Sequence, residues 1–248
     1  MQVFQQGMVF LIGTMMGSAA NALIDRLPKN ISWAKGRSKC DTCGHELNFW
    51  DLVPVLSYIF IRGKCRYCHS PIPVRNLFVE LITGIGFLLI FNSGFMIYQS
   101  LLLLGILWAT VIIAVMDWET MLVADIVVAV WGVLTLVVKF QSAGFRFFDS
   151  ILGFIIAAGL IGGVWLFSKG RAMGSGDIGI AAVMGWWLGW PKIAAGLWIA
   201  FVVGAAYGLW LIVSGKKKLK SEMPFGPFLI LGAWVGWIWG EKLVGMIL

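Results

Sequence analysis

The stretch RAMGSGDIGIAAVMGWWLGW, residues 171–190, places one carboxylate, Asp177, after a glycine-flanked turn and directly before an apolar run. An apolar run that follows a polar turn is typical of a helix entering a lipid bilayer. An ionisable side chain at the rim of such a helix is energetically costly and is therefore a functional candidate. This interpretation requires that the rest of the chain also has the composition of a membrane protein.

The composition supports that requirement. Of the 248 residues, 60% are hydrophobic and 12% are charged, whereas a typical soluble domain is about 25% charged. The 14 Trp and 17 Phe suit lipid-facing and interfacial positions. The net charge of +7 is accounted for by the orientation of the helices in the membrane, so we expect no nucleic-acid partner.

The apolar segments predict an all-α integral membrane protein of about eight transmembrane helices, since a span needs roughly 20 apolar residues. The sixth span is short. Two polar stretches, 25–76 and 215–224, are expected in water. The predicted spans cover residues 5–24, 77–93, 98–116, 121–139, 150–168, 177–190, 193–213 and 226–247.

The distribution of Lys and Arg predicts the orientation. Fifteen of the 19 fall on one side of the eight-span arrangement, which makes that side cytoplasmic and both termini external. Ala20 and Ala22 resemble a signal-peptide cleavage site, but Arg26 and Lys29 follow the apolar run, which favours an uncleaved first span. The 15 residues are Arg26, Lys29, Lys35, Arg37, Lys39, Arg62, Lys64, Arg66, Arg75, Lys169, Arg171, Lys216, Lys217, Lys218 and Lys220.

Two Cys-x-x-Cys pairs, CDTCGH and CRYCHS, contain all four cysteines: Cys40, Cys43, Cys65 and Cys68. Each pair can place two thiolates on one metal ion from a tight turn, and two such turns complete a tetrahedron. A reducing cytoplasm disfavours two disulfides, and the loop has too few apolar residues for a core of its own. We expect a small cytoplasmic loop domain with a structural zinc knuckle. A redox centre, a catalytic zinc and a rubredoxin-like iron site remain alternatives, and His45 and His69 are expected outside the ligand set.

Five acids lie at the rim of the predicted spans, on the cytoplasmic side: Glu80, Asp117, Glu119, Asp125 and Asp177. Local sequence offers simple roles for two of them, Asp177 as a helix N-cap and Asp117 as an acid in a short solvated turn after span three. The two acids nevertheless come from different pairs of helices and are expected at the same depth in the membrane. Two carboxylates within a few ångströms share a proton, so that one activates water and the other donates a proton. This is aspartic-protease chemistry, for which Gly174 and Gly176 would allow close approach to Asp177.

Other catalytic arrangements have less support. Both histidines lie in the cysteine loop, so no Ser-His-Asp triad is available among the spans. The chain also has no Gly-x-x-x-x-Gly-Lys loop, which argues against nucleotide-driven transport by this chain.

Nearly the whole chain resembles the type IV prepilin peptidases, bifunctional leader peptidase/N-methyltransferases of the bacterial inner membrane. Beside the two cysteine pairs, the resemblance rests on GSAANALIDRLP (17–28), PVLSYIFIRGKCRYC (54–68), IPVRNLFVE (72–80), MDWETMLVAD (116–125), GSGD (174–177) and PFGPFL (224–229). The resemblance implies removal of the leader from prepilins or pseudopilins at the cytoplasmic face. It also implies methylation of the new N-terminus with S-adenosylmethionine.

The resemblance also implies site residues. The two catalytic aspartates of the family match Asp117 and Asp177, and candidates for methyl transfer are Gly17, Asn21, Arg26 and Glu80. Simpler roles for these four are helix packing for Gly17 and Asn21, and interface anchoring for Arg26 and Glu80.

Four positions depart from the family pattern. Ala124 precedes Asp125 where the family often has Pro, which keeps Asp125 open as an alternative to Asp117. Ala19 and Ala20 replace bulkier residues, and Asn76 stands where Tyr is common. These three positions lie in the part of the chain that the resemblance associates with methyl transfer.

These observations predict a first helix at 1–24, a methyltransferase-associated loop domain at 25–76 and a seven-helix peptidase domain at 77–248. The alternatives are a small transporter or channel with a zinc-stabilised cytoplasmic cap, and a non-catalytic scaffold.

Overall fold

The computed structural model describes residues 2–29, 31–32, 36–142, 144–216 and 222–247. In these ranges the chain is helical and forms no β-strand. The α-helices are α1 (Gln2–Arg26), α2 (Leu56–Phe60), α3 (Val74–Asn92), α4 (Ile97–Thr120), α5 (Asp125–Gln141), α6 (Phe147–Ser168), α7 (Ser175–Leu188), α8 (Lys192–Val213) and α9 (Gly226–Ile247). Short 3-10 turns occupy Leu27–Lys29 and Phe49–Asp51.

Each of the eight predicted spans coincides with one of the eight long helices, which confirms the fold class. Six of these helices are long and apolar enough to cross a membrane. The other two are α5, with 17 residues, and α7, with 14. A 14-residue helix is only about 21 Å long, shorter than the hydrocarbon core of about 30 Å. The span that was expected to be short is therefore short in the structure.

Several helices expose stripes of apolar side chains, which suit contact with lipid. On α3 the side chains of Phe78, Ile82, Ile85 and Leu89 are each at least half exposed. Their spacing places them on one face of the helix. The opposite face of α3 packs on α1.

The helices group into two compact units, residues 1–112 and 113–248, and the division falls within α4. In the N-terminal unit α1 and α3 pack so closely that a Cβ on Gly13 would lie 2.8 Å from the Cα of Gly84. The first part of α4 joins this pair, because the indole Nε1 of Trp108 donates to the carbonyl of Met16 at 2.7 Å. Small residues at helix crossings are the usual way in which membrane helices approach each other.

In the C-terminal unit the short helix α7 packs against α5, α6 and α9, and α8 packs against α9. Glycines again form the crossings. A Cβ on Gly185 of α7 would collide with the carbonyl of Gly153 and would lie 2.9 Å from the Cβ of Ala157, both on α6. Buried Trp131 and Trp187 fill the remaining space around α7.

The loop between α1 and α3 has almost no core. Among its described residues from 36 to 73 only Pro54 and Cys65 are buried. The expectation that this loop cannot fold by burial alone agrees with its structure.

Candidate active site and metal site

Asp177 lies in the first turn of α7, but it is not the N-cap. The N-cap is Gly174, and Asp177 is the third residue of the helix. Its Oδ2 accepts a hydrogen bond from the backbone N–H of Gly174 at 3.1 Å. The N-cap prediction is therefore wrong in position, although the carboxylate does satisfy a backbone donor at the start of the helix. Asp177 is 5% exposed.

Asp117 lies within α4 and not in a solvated turn. The helix continues to Thr120, so Asp117 belongs to its last turn, and its side chain is 5% exposed. Its neighbour Trp118 fixes this turn by packing on Tyr207 at 5.3 Å between ring centroids. The solvated-turn alternative for Asp117 is wrong because these aromatic contacts extend the helix beyond the predicted end at residue 116.

A tertiary contact orients the Asp117 carboxylate. Its Oδ2 accepts a hydrogen bond from the backbone N–H of Gly226, the first residue of α9, at 2.9 Å. A Cβ on Gly226 would lie 2.7 Å from this same oxygen. Gly226 is a positioning residue that the sequence interpretation did not assign. Its available signal was the Gly-Pro pair in PFGPFL, which is typical of a helix start.

Both carboxylates line one cavity of about 340 Å³ within the C-terminal unit. Gly174 and Gly176 line the same cavity, and a Cβ on Gly176 would lie 2.7 Å from the Cβ of Val123. Close packing of the turn after α4 on the start of α7 therefore requires glycine at 176.

Asp125 also lines this cavity, but in a different environment. It is the first residue of α5 and is exposed. A buried pair of carboxylates in one cavity can perform general acid–base chemistry on a bound substrate. The exposed Asp125 lacks the fixed backbone donor that holds each member of the pair.

The four cysteines converge on one point of the loop. Their sulfur atoms all lie within 4.8 Å of one another, and neither histidine belongs to the cluster. The sulfurs of Cys40 and Cys68 are 3.8 Å apart. Four thiolates at about 2.3 Å from a central zinc ion are separated by about 3.8 Å from each other, so the residues fit a tetrahedral metal ion.

The two cysteine turns have the same backbone. In the first turn the N–H of Gly44 donates to the carbonyl of Cys40, and in the second the N–H of His69 donates to that of Cys65. Gly44 and His69 both have left-handed φ values, 70° and 58°. Each tight turn folds one Cys-x-x-Cys pair, and the two turns meet so that Cys40 and Cys65, 25 residues apart in sequence, reach one site.

Hydrogen bonds around the sulfurs favour thiolates at part of the cluster. The backbone N–H groups of Cys43 and Thr42 lower the pKa of Cys40 to about 6. A hydrogen bond from Ser70 also lowers the pKa of Cys68. The backbone N–H of His45 lowers the pKa of Cys43, but desolvation and the neighbouring thiols of Cys40 and Cys68 outweigh it and raise that pKa to about 11. Metal ions bind thiolates and not thiols, so only part of the cluster is in the metal-binding form near neutral pH.

A second cavity, of about 390 Å³, lies in the N-terminal unit and is lined by Asn21, Arg26 and Glu80 together with Asp25 and Asn76. Asn21 is 6% exposed, and its Nδ2 donates to the carbonyl of Asn76 at 3.0 Å. Its Oδ1 is buried and has no hydrogen-bond partner among the described residues. A buried acceptor without a partner is costly in free energy, so this oxygen is suited to a ligand that donates a hydrogen bond.

Glu80 and Gly17 hold this part of the structure together. The Oε2 of Glu80 accepts a hydrogen bond from the N–H of Val55 at 2.7 Å, which ties the loop to α3. A Cβ on Gly17 would lie 2.6 Å from the Cα of Glu80. Helix packing, the structural role considered for Gly17, is visible in this contact, whereas the contact of Glu80 is with the loop.

Two protein families match the chain in sequence. Residues 11–93 match the Bacterial Peptidase A24 N-terminal domain, and residues 103–209 match the Type IV leader peptidase family. The first range includes the four cysteines and the second includes Asp117 and Asp177.

Several bacterial proteins are similar over most of their length, and all three named here are called Prepilin leader peptidase/N-methyltransferase. The protein of Burkholderia pseudomallei (strain 1026b) is 34% identical over 84% of this chain and 69% of its own. Those of Aeromonas hydrophila and Pseudomonas aeruginosa are each 28% identical, over 95% and 94% of this chain and 91% and 90% of their own. No solved structure matches the chain significantly.

Proposed function

Because the chain belongs to the type IV prepilin leader peptidase/N-methyltransferase family, we propose that it removes the leader peptide from prepilins or pseudopilins and then methylates the new N-terminus. It is a multi-pass protein of the bacterial inner membrane and a protease of the aspartic type. The observation that supports this function best is the buried carboxylate pair, Asp117 and Asp177, in one cavity.

The pair suits peptide hydrolysis for a simple electrostatic reason. Two close carboxylates hold one proton between them, so the ionised member removes a proton from water and the protonated member donates to the scissile carbonyl. In both residues the Oδ2 accepts a fixed backbone N–H, from Gly226 or from Gly174. The Oδ1 atoms are the oxygens that we assign to the shared proton and the water.

The site suits a substrate that is half in water and half in the bilayer. Asp117 is in the last turn of α4 and Asp177 in the first turn of α7, so the cavity lies at helix ends. We assign this side to the cytoplasm, with both termini outside, from the distribution of Lys and Arg. Four residues used for that assignment, Lys35, Lys217, Lys218 and Lys220, lie outside the described residues.

Substitution of each aspartate by asparagine tests the pair while keeping the shape of the side chain. Asp117→Asn and Asp177→Asn should each lower the rate of leader removal by about 10²–10⁴-fold, the usual contribution of a catalytic acid or base. The measurement is the mass of a prepilin co-expressed with the protein. Asp125→Asn is the matched control, since Asp125 lines the same cavity but is exposed.

The control variant should process most of the prepilin. If Asp125→Asn abolished processing while Asp117→Asn did not, the second catalytic carboxylate would be Asp125. Normal processing by both Asp117→Asn and Asp177→Asn would exclude the pair altogether.

We assign methyl transfer to the cavity of the N-terminal unit, with S-adenosylmethionine as the methyl donor. The unpaired Oδ1 of Asn21 suits the α-amino group of this donor, and the guanidinium of Arg26 suits its carboxylate. In this proposal Gly17 and Glu80 shape the cavity through the contacts described above. The loop at 25–76 then serves methyl transfer together with Glu80, and within residues 77–248 the pair Asp117 and Asp177 serves the peptidase.

We assign a structural zinc ion to the four cysteines. When bound, the metal would replace the missing core of the loop and leave no open position for catalysis. Iron has the same ligand preference, so the metal content of the purified protein must be measured by elemental analysis.

Removal of one ligand tests the metal site. Cys43→Ser should lose the metal and make the loop sensitive to trypsin. His69→Asn is the matched control, because Asn also tolerates the left-handed backbone at that position. This variant should keep the metal, and a folded wild-type protein without metal would contradict the assignment.

A transporter or channel, the alternative from another class, is not favoured by the family. A non-catalytic scaffold is likewise not favoured, and it would not require two buried carboxylates in one cavity.

A further inference from the structure

The short helix α2 of the loop has its apolar side chains on the outside. Leu56, Ile59 and Phe60 are 51%, 58% and 80% exposed, and their spacing of three and four residues places them on one face. Ser57 and Tyr58, on the other side, line a cavity. This is the reverse of a surface helix in a water-soluble domain, where the polar face is outside.

The preceding 3-10 turn, Phe49–Asp51, shows the same inversion. Phe49 and Trp50 are 74% and 71% exposed. The side chain of Asp51 is only 4% exposed and pairs with Arg66 at 3.2 Å. The turn contacts α2, so Phe49, Trp50, Leu56, Ile59 and Phe60 form what we call the outer apolar patch.

Basic residues accompany this patch. Arg62 follows α2 almost directly, and both Arg62 and Lys64 are exposed. The whole segment 27–73 has seven Lys or Arg residues and three acids, Asp41, Glu46 and Asp51. Aromatic side chains beside cations are typical of segments that lie in the interface of a bilayer with anionic lipids.

We propose that the outer apolar patch docks on the membrane surface, with its aromatic rings among the lipid headgroups and Arg62 on anionic headgroups. The loop cannot move far from the bilayer, because it is tied at both ends to helices that are long enough to cross it, α1 and α3. Burial of this patch in the interface removes apolar surface from water. The inference does not depend on the proposed function.

A photo-crosslinking residue tests the docking in the full-length protein. Benzoylphenylalanine is introduced in place of Phe60 or, separately, Trp50, and the protein is reconstituted in phosphatidylcholine vesicles with or without phosphatidylglycerol. Glu46 is the matched control position, because it is exposed in the same loop but outside the patch. After illumination, mass spectrometry of the loop peptides reports lipid adducts, and size-exclusion chromatography reports that each variant is folded.

We expect lipid adducts at positions 60 and 50 and none at position 46. In phosphatidylglycerol vesicles at low salt, Arg62→Gln should lower the adduct yield by up to about fivefold, since one cation near an anionic surface has an effect of this size. In pure phosphatidylcholine vesicles the same substitution should have little effect.

Two results would overturn the proposal. Equal lipid adduct yields at positions 46, 50 and 60 would show that the patch has no preference for the bilayer. Adducts that join two copies of the chain, or the chain and a prepilin, in place of lipid adducts would show that a protein covers the patch.

Discussion

At the scale of single residues, Asp117 depends on a neighbour that is far away in sequence. Gly226 donates its N–H to the carboxylate and leaves no room for a side chain, with 2.7 Å between a Cβ and the Oδ2 of Asp117. Gly226 has no left-handed backbone that would itself demand glycine. The need for glycine therefore comes from its neighbours, first the carboxylate of Asp117 and then the Cδ1 of Ile180, which would lie 3.2 Å from a Cβ.

Gly226→Ala should displace the Asp117 carboxylate and lower the rate of leader cleavage. A misplacement of about 1 Å can reduce a rate by roughly a hundredfold, so we expect a loss of about that size in kcat. The measurement is the rate of leader removal from a purified prepilin by protein reconstituted in lipid.

Gly245→Ala supplies the control on the same helix, because a Cβ there would contact nothing within 4 Å. It should cleave at the wild-type rate. If Gly226→Ala and Gly245→Ala cleaved the leader at equal rates, a Cβ at position 226 would not disturb catalysis. Gly226 would then not be a positioning residue.

At the scale of elements, the position of Asp177 depends on how α7 packs against α6. Asp177 precedes Gly185 by eight residues on the same helix, which is about two turns. At Gly185 the two helices are in backbone contact through Gly153. Any side chain at Gly185 must move α7 away from α6.

Gly185→Ala should lower the free energy of unfolding by about 1–3 kcal/mol, the usual cost of overpacking. Gly159→Ala, on α6, should be neutral or stabilising by up to about 1 kcal/mol, because alanine is the better helix former and a Cβ there meets nothing within 4 Å. Thermal unfolding in detergent measures both. A Gly185→Ala protein as stable as the wild type would contradict the close crossing.

At the scale of the whole molecule, the two cavities belong to different units. The carboxylate cavity is formed by residues 117–225 and the Asn21 cavity by residues 18–80. Each cavity is therefore built from one unit alone. We infer that the two proposed reactions can be separated by substitution.

Arg26→Gln should leave leader removal intact and abolish methylation, because it removes the cation assigned to the methyl donor while both aspartates remain. Asp177→Asn should abolish both, since methylation needs the new N-terminus. The mass of a co-expressed prepilin distinguishes a cut, unmethylated product from an uncut one. Arg26→Lys, which keeps the charge, should restore part of the methylation.

A fully methylated product from Arg26→Gln would exclude Arg26 from the methyl-transfer site. Loss of leader removal in the same variant would show that the peptidase site is not independent of the N-terminal unit.

The helices and the cluster of four cysteines could be predicted from the sequence, because both depend on local patterns. Apolar runs must become helices where backbone groups cannot bond to water, and each of the eight long helices in the described residues follows a predicted apolar run, including the 14-residue α7. Two Cys-x-x-Cys turns indicate one four-thiol site from spacing alone, and the four sulfur atoms do lie within 4.8 Å of one another.

Only the tertiary structure decided the environment of each acid. Asp117, Asp125 and Asp177 look alike as rim residues in sequence, yet two are buried with a backbone donor and one is exposed. The donor to Asp117 comes from Gly226, 109 residues further along the chain. A hydrogen bond between residues so far apart in sequence depends on how α4 and α9 pack. No local pattern of side chains encodes that packing.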